Sequence, residues 1–263
     1  MPEKLIMELK TDNENNLRYH SAALLHGAIM EMVTPVFAEK MHISGLRPFA
    51  QSLRTIQGKI IWKVCALEEE AEQQIIGSLM GENFKEIHLK HNNTALEICS
   101  KELTRISDQD LIEQFYFADN SRTIRLQFVT PCSFKQDGKY VFWPDMRLIY
   151  QSLMKRFDSF SENNAVWMEE ALEDLANYTV ITGYNIRSTY FSLEGVRIPS
   201  FTGTITIRLN GPQQLVNLAH LLVHYGEYSG TGIKTAMGMG DLIVVNNNKH
   251  RLEKDIREGE HDR

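Results

Sequence analysis

Two of the chain's nine histidines, His220 and His224, stand four residues apart in His220-Leu-Leu-Val-His224, the spacing that puts two imidazoles on one face of a helix. Such a pair can begin a zinc site. Here the glutamate of a zinc-protease motif is absent and no third ligand is apparent, so the expected role is a packed or ligand-facing helix edge. The carboxylates come in runs, Glu68-Glu69-Glu70 and Glu169-Glu170 with Glu173-Asp174. Charges crowded this way repel one another unless water screens them, so the runs read as solvated helix faces rather than acid–base pairs. Cys65, Cys99 and Cys132 are odd in number and far apart, which argues against a disulfide framework or a metal knuckle and suits a reducing cytoplasm. Neither a metal nor a cofactor is expected.

The densest chemical signal lies at 226–240, where Gly226, Gly230, Gly232, Gly238 and Gly240 fall among Thr231, Lys234 and Thr235. Glycines so concentrated imply positive φ or close approach of the backbone to something. Lys234 does not directly follow a glycine and the stretch comes after a helix rather than before one, which excludes a nucleotide-binding P-loop. Two readings remain open on spacing: a loop whose amides and Lys234 hold a phosphate backbone, or a glycine-rich linker.

The elements that would carry these residues repeat once. Residues 4–9 read as a strand, and 19–33 places Leu24, Leu25, Ala28, Ile29, Met32 and Val33 on one helical face. Thr34-Pro35 starts a short helix to about Met41. Strands at 49–56 and 59–66, split by Gln57-Gly58, precede a helix at 68–80 and extended runs at 84–91 and 95–106. The second half offers a strand at 123–134, helices at 144–160 and 165–178, strands at 179–193 and 201–209, a helix at 212–225 and a closing strand at 241–245. Both halves give β-α-β-β-α-β, so the expected class is α+β, two tandem ferredoxin-like domains at 1–118 and 119–247. The polar segment 248–263 is expected to be a disordered tail.

No run approaches the roughly 18 apolar residues of a membrane span, and the first ten residues lack the features of a secretory signal. The net charge of −6 counts against a nucleic-acid partner, which usually leaves a basic footprint. Five of the acids of 119–247 cluster between Glu162 and Asp174, however, so a local basic face is compatible with the total.

The 226–240 segment resembles the C-terminal glycine-rich signature of the repeat-associated RNA-binding superfamily of CRISPR systems. Three more segments resemble its endoribonuclease branch: Phe128-Val-Thr-Pro131-Cys-Ser-Phe134-Lys135, Phe142-Trp-Pro144-Asp-Met-Arg147-Leu-Ile-Tyr-Gln-Ser-Leu153 and Phe201-Thr-Gly203-Thr-Ile-Thr. The resemblance covers about residues 3–245. It implies binding of CRISPR precursor RNA at its repeats and one metal-independent cut per repeat. In such a cut the ribose 2′-hydroxyl attacks the adjacent phosphodiester, leaving a 2′,3′-cyclic phosphate and a 5′-hydroxyl. The protein supplies a base, an acid and a cation, and histidine suits the first two roles near neutral pH.

By resemblance the catalytic histidines are His42, at the end of the short helix, and His26 in the first helix. Spacing alone makes His26 a partly buried structural residue near the edge of an apolar stripe. The family's lysine beyond the catalytic histidine corresponds to Arg47, with Lys40 the rival, and either could equally be a solvated surface charge. The family's helix tyrosine corresponds to Met30, which cannot replace a phenol. Gly230, Gly232, Lys234, Thr235, Gly238, Gly240 and Arg147 are the expected RNA contacts. Tyr140, Phe142, Trp143 and Phe115–Phe117 could stack on bases, although strand aromatics are more often core. The rival reading is a non-catalytic RNA-binding subunit of a CRISPR effector complex, which shares the glycine loop but needs no histidine pair. Effector-complex subunits and a second copy of the chain are the further partners to consider.

Overall fold

The structure, a computed structural model, describes residues 1–11, 17–43, 45–89, 94–161 and 165–245; the tail expected at 248–263 lies outside them. Strand β1 (Glu3–Lys10) alternates buried and half-buried residues, the signature of a strand with one face on a core. The helices α1 (Ala22–Met32) and α2 (Pro35–Ile43) follow. Pro35 opens α2 as expected, because a first-turn residue has no intrahelical acceptor for the N–H that proline lacks. Strands β2 (Phe49–Ile56) and β3 (Lys59–Ala66) form a hairpin through Gln57 and Gly58, both at positive φ, the two-residue turn that matches strand twist. After a helix at 69–80 come β4 (Glu86–Leu89) and β5 (Thr94–Arg105). The five strands pair antiparallel in the order β2-β3-β1-β5-β4. Trp62, Phe49, Phe37 and Leu25 are fully buried in the core between this sheet and its helices.

The second half holds β6 (Thr123–Cys132), a small hairpin β7 (Phe134–Gln136) and β8 (Lys139–Val141), and helices Met146–Phe160 and Glu169–Tyr178. It continues with β9 (Thr179–Leu193), β10 (Val196–Leu209), a helix Gln213–Ser229 and β11 (Leu242–Val244). Its sheet runs β11-β6-β10-β9. In both sheets the first strand is central and the hairpin partner reaches the edge, so the two tandem ferredoxin-like folds expected are present.

Four local differences have identifiable causes. The helix expected from 165 begins at Glu169, because the Asp158 carboxylate accepts from the N–H groups of Val166 and Trp167 at 2.7 and 2.9 Å and holds that approach extended. Strand β10 starts at Val196, ahead of the expected 201. Pro199 is tolerated because β6 pairs with β10 only from Phe201 onward, so the missing N–H interrupts no ladder on that side. A helical segment at 108–116, which periodicity did not reveal, is started by Ser107, whose hydroxyl accepts from Asp110 N in a capping box. The last helix runs to Ser229, straight through Gly226. A Cβ there would stand 2.8 Å from Leu153 Cδ2 and 2.9 Å from Leu242 Cδ2, so this glycine serves helix packing rather than a loop.

The halves are joined by buried polar contacts as well as apolar ones. Lys63 of β3 pairs with Asp241 and donates to Glu227 O at 3.0 Å, and Ser52 Oγ of β2 donates to Asp241 Oδ2 at 2.7 Å. Gln51 Nε2 donates to Ala22 O at 3.0 Å and to Ala236 O at 2.8 Å, while its Oε1 accepts from Trp62 Nε1 at 2.7 Å. One amide thus ties the start of α1 to the segment after Lys234.

Candidate active site

The stretch after Ser229 folds back across both halves. Gly230, Gly232, Gly238 and Gly240 all have positive φ. A Cβ on Gly240 would meet Thr231 O at 1.9 Å, one on Gly232 would meet Ser133 O at 2.4 Å, and one on Gly238 would meet Ala22 Cβ at 2.4 Å. Their N–H groups are engaged inside the protein, by Gly226 O, Ser152 Oγ, Thr235 O and Pro131 O respectively. Thr235 is buried as well. Here the structure departs from the expected phosphate cradle: these glycines let the backbone press against itself and against α1. What they present is Lys234, a left-handed residue at φ 57° that is exposed at the head of a short 3₁₀ turn, Thr235–Met237.

His26 lies on the buried side of α1, 7% exposed, its ring stacked on Phe49 at 5.7 Å between centroids. Its Nε2 meets no hydrogen-bond partner among the described residues. Burial pushes its pKa down to about 4, and the nearby Arg47, His42 and Lys234 push the same way. Its ring is therefore neutral at pH 7. His42 follows Met41, which is buried in the core, so the last turn of α2 turns His42 outward to solvent. Arg47, in the segment between α2 and β2, is half-buried, and burial lowers its pKa without discharging it. Arg47 and Lys234 both line a cleft of about 240 Å³ together with Leu46, Arg156, Thr235 and Met237. Four of the expected residues, His26, His42, Arg47 and Lys234, therefore converge from α1, α2, the following segment and the glycine-rich loop.

Two do not join them. Lys40 is ion-paired with Glu68 and Glu70 at the start of the helix 69–80, so part of that acidic run is a counter-ion rather than a merely solvated face. Arg147 is clamped by Glu169 and Glu173 at 2.7 Å each. It sits nine residues before Arg156 on one helix, roughly 13 Å along the axis. His220 Nε2 contacts Ser121 O at 2.8 Å, and His224 stacks on Phe115 with its Nδ1 3.3 Å from Glu227 Oε2, so both rings have partners within the fold. Phe142 and Trp143 are exposed, and Trp143 stands edge-on to Tyr184, an exposed aromatic of β9. Arg156 was missed. Its signal was an arginine three residues after Leu153 and seven after Ile149, on the apolar stripe of its helix, where a charge needs a reason.

Comparison with known proteins gives one consistent result. The family model described as CRISPR-associated endoribonuclease Cas6 matches residues 126–242. The chain is 33% identical over 223 residues to a CRISPR-associated endoribonuclease Cas6 of Streptococcus thermophilus, spanning 84% of this chain and 90% of the relative. It is 31% identical over 225 residues to the protein so named in Mycobacterium tuberculosis, spanning 84% and 70%. Among solved structures, a Cas6 product complex aligns with a TM-score of 0.77 at 21% identity over 94% of this chain and 100% of that one. Thermus thermophilus Cas6 aligns at 0.70, also 21% identical, over 93% and 98%. At that identity the structural likeness speaks for the fold.

Proposed function

The chain belongs to the CRISPR-associated endoribonuclease Cas6 family, and on that premise we propose that it binds CRISPR precursor RNA and cuts it within the repeat, without a metal ion, by attack of a ribose 2′-hydroxyl on the adjacent phosphodiester. The observation that carries this reading is that Arg47 and Lys234 line one cleft and, with His42, act electrostatically on the buried His26 ring. These residues are the set such a cut requires: two imidazoles to move protons and fixed cations to offset charge on the phosphoryl oxygens. Arg47 is the preferred cation over Lys40, whose charge Glu68 and Glu70 already satisfy.

His26 enters the reaction neutral, so its unprotonated ring nitrogen can accept a proton. Two of the groups that depress it, Arg47 and Lys234, are cations that an incoming phosphate neutralises. Binding of RNA therefore moves the His26 pKa back up and makes the ring a better base just when the substrate is in place. His42, exposed in the last turn of α2, exchanges protons with water between turnovers. The products are a 2′,3′-cyclic phosphate and a 5′-hydroxyl.

The test is incubation of the protein with a repeat transcript in EDTA, beside a copy bearing a single 2′-deoxy sugar at the cut. Cleavage of the first and not the second is expected. Cleavage that EDTA abolishes removes the metal-independent chemistry, and binding without cleavage of either RNA returns the chain to the non-catalytic reading.

A further inference from the structure

Arg47 and Lys234 border the cleft, but Arg156 is sunk in the protein, 4% exposed. Its Nη2 donates to Gly232 O at 3.2 Å, and its Nε and Nη1 meet no acceptor among the described residues. Nor does any carboxylate of the described residues form an ion pair with it. The groups that act on its charge are Tyr225 and Cys132, and burial pushes both of their pKa values up, so both are neutral at pH 7. The guanidinium itself, lowered by burial to about 10, stays protonated at that pH. Buried charges are ordinarily paired, because removing an ion from water is costly unless a partner offsets it. This one has no charged partner among the described residues, and it lines the cleft that Arg47 and Lys234 also line.

We infer that this cleft is a phosphate-binding site in which Arg156 provides the buried charge, and that its occupant is a phosphodiester of the RNA next to the one that is cut. The cleft, of about 240 Å³, is large enough to admit a phosphate group. A phosphate there lies against the Arg156 guanidinium with Arg47 and Lys234 at its rim, and the hydrogen bond to Gly232 O couples the site to the loop that carries Lys234. The RNA occupant rests on the function proposed above; the phosphate site does not.

Thermal melting of the full chain without RNA, in sodium phosphate against sodium chloride at matched ionic strength, tests the site. Wild type should show a saturable rise in Tm of a few degrees at millimolar phosphate. Arg156→Met should lose that rise while melting within a few degrees of wild type in chloride, since the charge removed had no counter-ion among the described residues. Arg156→Lys, which keeps the charge, should keep part of the rise, and it decides the matter if the methionine variant does not fold. Absence of saturation in wild type, or an equal rise in Arg156→Met, overturns the site. In a second arm, repeat RNA with a 2′-deoxy sugar at the cut should bind Arg156→Met about tenfold more weakly, with a salt slope lower by about one. Unchanged RNA affinity beside a lost phosphate response assigns the cleft to free phosphate and overturns the RNA occupant. His42→Ala should retain both responses, which separates this proposal from failure of the cleavage chemistry.

Discussion

Gly238 lies so close to Ala22 that a Cβ on the glycine would come within 2.4 Å of the alanine's own. The loop that presents Lys234 is thereby pressed onto the first residue of the helix that carries His26, and candidate site residues from the two halves of the chain share one reference point.

Gly238→Ala should disrupt that contact. The residue sits at φ 103°, so the substitution adds backbone strain to overpacking, and the expected loss is on the order of 3 kcal/mol. Chemical denaturation measures it, and a variant as stable as wild type would detach the loop from α1.

His42→Ala should slow repeat cleavage on the order of 10²-fold or more, the usual scale for losing general acid–base help, with little change in binding. Lys40→Ala, which only releases Glu68 and Glu70, should leave the rate within about twofold, since an exposed ion pair contributes ~1 kcal/mol or less. Single-turnover cleavage and gel-shift titration separate the two quantities. Normal cutting by the His42 variant would move the chemistry elsewhere.

Lys234→Ala should weaken RNA binding and reduce the slope of log K against log salt by about one, the signature of a lost phosphate contact. Parallel slopes for variant and wild type would leave the loop a purely structural element.

His26 makes stability depend on pH. Its folded pKa of about 4 lies below its ordinary 6.5, so the unfolded chain binds a proton more readily, and stability rises with pH across that interval. The contribution is fully present above about 6.5 and is lost as pH falls toward 4, with a ceiling of about 3 kcal/mol. Denaturation midpoints of wild type and His26→Gln between pH 4 and 7 should therefore converge at the acid end. Curves that stay parallel would show that the ring is not held neutral.

Asp241→Leu should cost about 3–5 kcal/mol by stranding the Lys63 ammonium, while Lys63→Met combined with Asp241→Leu should recover most of it. A double-mutant cycle by urea denaturation reads the coupling directly. Additive losses would mean that the pair does not join the halves.

Element order was legible because it depends on local periodicity. The alternation of β1, the apolar face of α1 and the Gln57-Gly58 turn each report the structure within a few residues of themselves, and repeating the pattern once sufficed to identify the fold class. Edges were less legible where a distant group intervened, as when Asp158 delayed the helix that begins at Glu169. The candidate histidines were named by resemblance; their neighbours were harder to read. A charge-rich sequence offers Lys40, Arg47, Arg147 and Lys234 on equal terms.

Chain order thus specified two β-α-β-β-α-β halves and the residue types a phosphodiester cut would need, since side-chain pattern and backbone preference act over short range. Which cations share a cleft was decided by packing. Glu68, Glu70, Glu169 and Glu173 took two candidates away, and the close approach of Gly238 to Ala22 carried Lys234 in from the far end of the chain. Arg156 came to lie under the same loop without a counter-ion among the described residues. Those relations join residues as much as 216 positions apart, and no local pattern encodes a contact formed only when the two sheets bury their shared surface.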